Sequence, residues 1–287
     1  MGVAYDPSAQ YGIKFWDVEY RHDPVRTLMA RIYQPEGEGP FPALLDVHGG
    51  AWNDQDRTAN VPVDERLAAS GILVVAIDVR LASEAPYPGS VEDVNFGIRW
   101  LKSKAREWNG DPGTVGALGS SSGGHVIELC AMNPHDSRYT VHPLQDAPGL
   151  DATLAYVIAR SPISDPLARY EQAKKMQRET LIKNSEIYFD AWENIFQANP
   201  QRILERGESV TLPPMFILQG ALDDNVLPAV QERFAATYKE AGGDIDLEVF
   251  EGADHRWIIH PSPQTDRAIE MIKAFIARQL RAQQPVG

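Results

Sequence analysis

The 287-residue sequence predicts an α/β fold in which helices flank a mostly parallel central sheet. Short apolar, β-branched runs alternate with longer stretches of helical periodicity, and this alternation is typical of strand–helix units. Two of the runs, ALLDV and ILVVAIDV, are largely apolar, as expected of strands covered on both faces. We therefore expect one domain over 1–287, built as three layers with the sheet in the middle.

The first half of the chain is predicted to contain four strands and a long helix. Val91, Val94, Ile98 and Leu101 recur at helical spacing, and the NGDP segment at 109–112 ends that helix with a turn. The predicted strands are 15–21, 28–34, 43–47 and 72–79, and the helix is 90–108.

The second half continues the alternation to the end of the chain. Ile269, Ile272, Ile276 and Leu280 fit one face of a closing helix, and a Gly-Gly pair at 242–243 ends the helix before it. The predicted strands are 114–119, 156–163, 215–220 and 245–250, and the helices are 122–132, 227–241 and 264–281.

Residues 166–212 interrupt this alternation. The segment is too long for an unstructured loop, favours helix and carries several aromatic side chains. We expect a helical cap inserted into the single domain.

Charge and composition narrow the possible partners. A formal charge of −13 repels phosphate backbones, so we expect no nucleic-acid partner. No apolar run reaches membrane-spanning length, and residues 1–16 lack the basic start and apolar run of a signal peptide. The single cysteine, Cys130, cannot form an internal disulfide. These features favour a cytoplasmic protein without a membrane partner, and leave the oligomeric state open, with a homodimer as one alternative.

Cofactor motifs are missing from the sequence. The seven histidines show no compact metal-ligand spacing, and neither a P-loop nor a dinucleotide fingerprint occurs. We expect neither a metal nor an organic cofactor.

The strongest local motif is GSSSGG at 119–124, which lies between a predicted strand and a predicted helix. It matches G-x-S-x-G, a sharp strand-to-helix turn that exposes the hydroxyl of its central serine. Only Ser121 has glycine two residues before and two after it, so Ser120 and Ser122 are not the candidate nucleophile. The Ser122 N–H is instead expected to face a developing oxyanion at the positive end of the helix.

A second motif, HGGAW at 48–52, directly follows a buried strand. Adjacent glycines let backbone N–H groups approach a ligand closely. A loop of this kind forms the second half of an oxyanion hole in lipases and esterases, and it indicates the N–H groups of Gly50 and Ala51 as donors.

Together these motifs resemble the α/β-hydrolase superfamily, and within it the hormone-sensitive-lipase-like esterases. The HGGAW loop also resembles that of kynurenine formamidases and bacterial feruloyl esterases. The segment DVRLASEAPYP at 78–88, followed by VEDV, is similar to the D-Y-R-L-A-P-E-x-x-x-P…E-D segment of these esterases. It departs from that pattern at Val79 and Ser83, where the family has tyrosine and proline.

The resemblance implies a downstream acid and then a histidine. The GALDDNV segment at 220–226 resembles the family's G-x-x-D-x-x-V turn, and its frame selects Asp223 as the acid that orients the histidine. Asp224, next to it, and Asp165, after an earlier strand, remain alternatives.

The histidine is expected in the loop after the last strand. His255 follows Gly252-Ala253-Asp254 there and is favoured over His260, which lies nearer the last helix. His125 comes just after the serine turn and is expected to pack or form hydrogen bonds within its helix.

The resemblance implies a serine hydrolase that cleaves small carboxylic esters through an acyl-enzyme. An amidase such as an arylformamidase would use the same triad, and a non-catalytic binding protein on this fold is a further alternative. Trp52, Trp257 and Trp192 are the expected substrate-binding side chains, and their aromatic walls suggest a modest acyl or aryl substrate.

Overall fold

The computed structural model describes residues 5–282. Residues 1–4 and 283–287, at the two ends of the predicted domain, lie outside the described residues. The described strands are β1 (Ile13–His22), β2 (Thr27–Pro35), β3 (Phe41–Val47), β4 (Leu73–Ile77), β5 (Gly110–Ser120), β6 (Val157–Arg160), β7 (Met215–Gly220) and β8 (Ile245–Phe250). The described helices are α1 (Val61–Ala69), α2 (Gly89–Lys104), α3 (Ser122–Met132), α4 (Pro166–Lys175), α5 (Glu179–Tyr188), α6 (Asn194–Gln197), α7 (Pro200–Glu205), α8 (Pro228–Glu240) and α9 (Pro263–Ala282).

The strands form one eight-stranded sheet in the order β1-β2-β4-β3-β5-β6-β7-β8. The first two strands form an antiparallel hairpin that pairs antiparallel with β4, and all later pairings are parallel. The mostly parallel sheet predicted from the sequence is therefore confirmed. Because the parallel strands all end at one edge, the loops that follow β3, β5, β7 and β8 can meet there.

Helices cover both faces of the sheet, as predicted. Alternate residues of β3 show this directly, because Leu45 packs with α2 and α3 on one face while Leu44 packs with α1 and α9 on the other. All seven residues of β3 are buried, which explains why its apolar run lacks alternation.

Three of the local differences from the sequence prediction have a clear structural reason. Helix α1 was not predicted, since a nine-residue helix that begins with a proline in its first turn carries little periodic signal. Strand β5 begins at Gly110, inside the predicted turn, because Gly110 and Asp111 pair with β3 ahead of a register shift. Strand β6 ends at Arg160 rather than at 163, because the next residue, Ser161, takes a positive φ of 42°.

The interruption at 166–212 contains four helices, α4 to α7. Its buried side chains include Tyr188, Phe189 and Ile195, which join the core on the α2–α3 face of the sheet. The inserted helices therefore pack onto the main body rather than standing apart from it. Within 5–282, no helix is both long and apolar enough to span a bilayer.

Candidate active site

Ser121 occupies a strained turn between β5 and α3. Its φ of 53° and ψ of −115° are unusual for a residue with a side chain. The turn closes because its neighbours are glycines: a Cβ at Gly119 would lie 2.7 Å from the Gly123 carbonyl oxygen. A Cβ at Gly123 would lie 2.3 Å from the carbonyl oxygens of Val47 and His48. The motif thus places Ser121 at the end of β5 with its hydroxyl turned toward the sheet edge.

The three candidate triad residues meet at this edge. His255 Nε2 lies 3.0 Å from Ser121 Oγ, and His255 Nδ1 lies 2.7 Å from Asp223 Oδ2. A proton on Nδ1 that is held by the carboxylate leaves Nε2 free to accept the serine hydroxyl. The arrangement is that of a nucleophile, a base and a group that orients the base.

Asp223 is fully enclosed by hydrogen-bond donors. Its Oδ1 accepts the backbone N–H groups of Asn225 and Val226 at 3.0 and 2.9 Å, and its Oδ2 accepts Gln219 Nε2 at 3.1 Å as well as His255. Burial by itself raises the pKa of this carboxyl, but the hydrogen bond and charge of His255, together with the backbone hydrogen bonds, outweigh it, so the pKa is lowered. Asp223 is therefore ionised at neutral pH.

The alternative acids and bases lie elsewhere. Asp224 is exposed and pairs with Arg178, while Asp165 caps α4 through the N–H of Ala168 at 3.1 Å. His260 is exposed on the loop before α9.

His125 is fully buried and packs in its helix, as expected. Its Nε2 lies 2.8 Å from the Ala198 carbonyl oxygen, and its Nδ1 accepts Trp52 Nε1 at 3.1 Å. Burial lowers the pKa of this imidazole to about 4, so it is neutral at neutral pH.

The HGGAW loop lies against the serine turn. Gly50 and Ala51 have positive φ values of 95° and 50°, and a Cβ at Gly50 would lie 2.1 Å from the Asp54 carbonyl oxygen. The next residue, Trp52, donates its N–H to Ser122 Oγ at 3.0 Å, which ties the loop to the start of α3. The N–H groups of Gly50, Ala51 and Ser122 have no hydrogen-bond partner within residues 5–282, so they can serve an oxyanion.

A cavity of about 250 Å³ opens at Ser121 and His255. One wall comes from the inserted helix α5, which contributes Thr180, Leu181 and Asn184. The segment 166–212 therefore forms part of the cavity wall. Pockets of this size accept small ligands.

The three tryptophans predicted to bind substrate do not line this cavity. Trp52 stacks on Tyr188 at 4.7 Å between ring centroids, with its indole N–H used by His125. Trp257 packs on Phe250 at 4.3 Å. Trp192 packs on Tyr170, also within the cap. In this structure all three pack against other aromatic rings, so their apolar area is buried away from the cavity.

The cavity wall is instead rich in polar side chains, which the sequence did not identify. They are Asp54, Gln55, Asn60, Arg160, Thr180, Asn184, Asn225 and Arg256. Arg160 had one signal available: it is a charged residue at the carboxyl end of an otherwise apolar strand. Across residues 5–282, no group of three or more His, Cys, Asp or Glu side chains could hold a metal ion.

Comparison with known proteins gives one family match and many similar enzymes. The family model BD-FAE matches residues 31–237. The chain is 28% identical over 202 residues to the probable carboxylic ester hydrolase LipM of Mycobacterium tuberculosis, covering 68% of this chain and 44% of that one. It is 25% identical over 272 residues to the esterase LipC of the same organism, covering 90% of this chain and 64% of that one. The chain thus spans less than two thirds of the length of these relatives.

Solved structures of esterases share the fold over nearly the whole chain. The carboxylesterase EstE1, cloned from a metagenomic library, superposes with a TM-score of 0.76 at 22% identity, covering 96% of this chain and 92% of that one. The propionate-bound esterase Est2 of Thermogutta terrifontis gives 0.72 at 23% identity, with 94% of each chain covered. These similarities confirm the predicted α/β-hydrolase fold.

Proposed function

The chain belongs to the BD-FAE family, and from that premise we propose that it is a serine hydrolase that cleaves small carboxylic esters. One observation carries the proposal: His255 lies within hydrogen-bond distance of both Ser121 and Asp223. The esterase names of the relatives LipM and LipC support it.

In the first half of the reaction, Ser121 Oγ attacks the ester carbonyl carbon while its proton passes to His255 Nε2. The tetrahedral intermediate then collapses, the bond to the alcohol oxygen breaks, and His255 gives its proton to the leaving group. Asp223 keeps the imidazole in the required tautomer and stabilises its charged form.

In the second half, water gives a proton to His255 and attacks the acyl-enzyme. The bond between the acyl carbon and Ser121 Oγ breaks, the acid leaves, and Ser121 recovers its proton. In both halves the oxyanion would be held by the N–H groups of Gly50, Ala51 and Ser122. Each such donor is typically worth about 3 kcal/mol of barrier.

Amide hydrolysis is a second candidate, because the HGGAW loop resembles that of kynurenine formamidases. The same triad would serve, with an amine rather than an alcohol leaving. A cytoplasmic location stays a prediction, and a homodimer stays one alternative for the oligomeric state.

Parallel assays on 4-nitrophenyl acetate and N-formylkynurenine test the proposal. We expect the wild type to hydrolyse the ester with a higher kcat/KM than the formamide. Ser121→Ala should keep the fold and lose nearly all turnover. Ser103→Ala, which removes a hydroxyl from α2, is the control and should keep wild-type turnover. A higher kcat/KM for the formamide would favour the amidase, and wild-type turnover by Ser121→Ala would refute the mechanism.

A further inference from the structure

Arg160 brings a positive charge to the cavity at the end of β6. Its backbone carbonyl accepts the N–H of Ser121 at 2.8 Å, so the residue is fixed directly beside the candidate nucleophile. Its side chain donates from Nε to Ser120 Oγ at 3.0 Å and from Nη2 to Asn60 Oδ1 at 2.9 Å. Both partners are neutral, and Nη1 makes no hydrogen bond to any described residue.

Arg160 also has no carboxylate partner. Among residues 5–282, its side chain bonds Ser120 and Asn60 and forms no ion pair with an Asp or Glu. Two buried carboxyls, Asp46 and Asp64, lie behind it on the sheet and on α1, and Asn60 Nδ2 separates Asp46 from the guanidinium by bonding both Asp46 oxygens at 3.0 Å.

Burial raises the pKa of both Asp46 and Asp64, which favours their neutral forms. Burial lowers the pKa of Arg160 to about 10, so the guanidinium is still charged at neutral pH. Both carboxyls still attract the guanidinium, but their raised pKa values mean that they offset its positive charge only in part.

A second cation lines the same cavity and is close enough for its charge to act on Arg160. Arg256, next to His255, also lines it, and its side chain forms neither a hydrogen bond nor an ion pair with the described residues. Asp54 is the acidic residue among the lining side chains, and it lies on the exposed part of the loop after the HGGAW motif. In a chain of formal charge −13, two cations in one small cavity, neither paired with a carboxylate, indicate a site for an anion.

We propose that the natural substrate is an ester that carries a carboxylate, and that Arg160, assisted by Arg256, binds this carboxylate beside the scissile bond. A guanidinium presents paired N–H groups that fit a carboxylate, and it is desolvated here by the cavity wall. This inference rests on the proposed ester hydrolysis and adds to it a preference for substrates that carry a carboxylate. The carboxylate belongs either to the acyl group, as in a monoester of a dicarboxylic acid, or to the alcohol.

Matched pairs of esters test the proposal. For the acyl side, 4-nitrophenyl hemisuccinate is compared with 4-nitrophenyl 4-methylpentanoate, in which an isopropyl group replaces the carboxylate. For the alcohol side, 4-carboxyphenyl acetate is compared with 4-isopropylphenyl acetate. We expect kcat/KM for the charged member of one pair to exceed that of its neutral partner by about 10-fold or more. The pair that shows the preference identifies which side of the ester carries the charge.

Variants then assign the preference to residues. Arg160→Gln keeps hydrogen-bonding capacity but removes the charge, and it should lower the charged-to-neutral ratio by about 10-fold or more. Arg160→Lys should keep an intermediate ratio, and Arg256→Gln should lower it by about 2- to 5-fold because that side chain is exposed. Arg278→Gln, which removes an equal charge on the outer face of α9, should leave the ratio unchanged.

A purely structural role for Arg160 would lower stability without moving this ratio. If Arg160→Gln fails to fold, Arg160→Lys and Arg256→Gln still decide the matter through the same ratio. A wild type that hydrolyses neutral esters as well as charged ones in both pairs would overturn this inference and leave the proposed function intact. A wild type that hydrolyses none of the four esters would contradict the proposed function itself.

Discussion

Replacing Asp223 with asparagine should abolish the proposed ester hydrolysis by reversing the tautomer of His255. The asparagine Oδ1 can take over the two backbone N–H groups of Asn225 and Val226. Its Nδ2 must then face His255, to which it can only donate. The imidazole would respond by carrying its proton on Nε2, where it can no longer accept the proton of Ser121.

The opposite orientation of the amide does not restore the triad. It would point Nδ2 at the two backbone N–H groups and leave both unpaired, at a cost of about 1–3 kcal/mol each. The orientation with the wrong tautomer loses only the hydrogen bond from Gln219 Nε2, which still donates to two backbone carbonyls, so this orientation is preferred. By the same tautomer argument, loss of this carboxylate lowers kcat by about 10⁴-fold, which corresponds to about 5.4 kcal/mol of barrier.

The assay is kcat on 4-nitrophenyl acetate, with thermal unfolding measured in parallel. Asp224→Asn is the matched control, because that carboxylate is exposed and pairs with Arg178 outside the site. It should stay within about twofold of the wild type, since exposed ion pairs contribute little. Retention of more than a tenth of wild-type kcat by Asp223→Asn would refute this reasoning.

Three further predictions follow from packing and burial. Gly123→Ala should lower the free energy of unfolding by about 3 kcal/mol and abolish activity, because its Cβ would lie 2.3 Å from the Val47 carbonyl oxygen; urea unfolding checks this, and a stable, active variant would contradict it. Trp257→Phe should leave kcat/KM within about threefold and cost little stability, because the buried indole N–H has no partner among the described residues; a large rise in KM would return this residue to the substrate site. Burial raises the pKa of Glu128 to about 8, so the folded state keeps a proton that the unfolded state loses above its ordinary pKa of 4.5, and stability falls as pH rises between these values. The free energy of unfolding of Glu128→Gln should not show this fall. Its difference from the wild-type value should therefore grow by on the order of 3 kcal/mol between pH 5 and pH 8. Parallel stability curves for the two proteins would contradict the assignment.

The parts of the site that the sequence predicted depend on the backbone. Gly119, Gly123 and Gly50 stand where a Cβ would collide with main-chain atoms, so the turn and the loop can form only with glycine there. Because these constraints require glycine at fixed positions, the motif can be recognised in the sequence. The order of strands placed Asp223 and His255 after β7 and β8 for the same reason, since parallel strands bring their following loops to one edge.

The parts that the sequence did not predict depend on side-chain packing. Residues that are distant in the sequence determine whether an aromatic ring lines a cavity or packs beneath it. Trp52 is an example, because it stacks on Tyr188 of α5 and is thereby held in the core. Arg160 is separated by 39 residues from its neighbour Ser121, and only the pairing of β5 with β6 brings them together. Helix α1 was missed because its formation depends on contacts with α9 and the sheet more than on its own sequence.

Covalent labelling with a fluorophosphonate probe, followed by mapping of the modified peptide, tests the central claim most directly. The triad predicts a single adduct on Ser121, formed by the wild type and abolished in Ser121→Ala. Absence of labelling in a folded wild type, or an adduct on Ser120 or Ser122 instead, would contradict it.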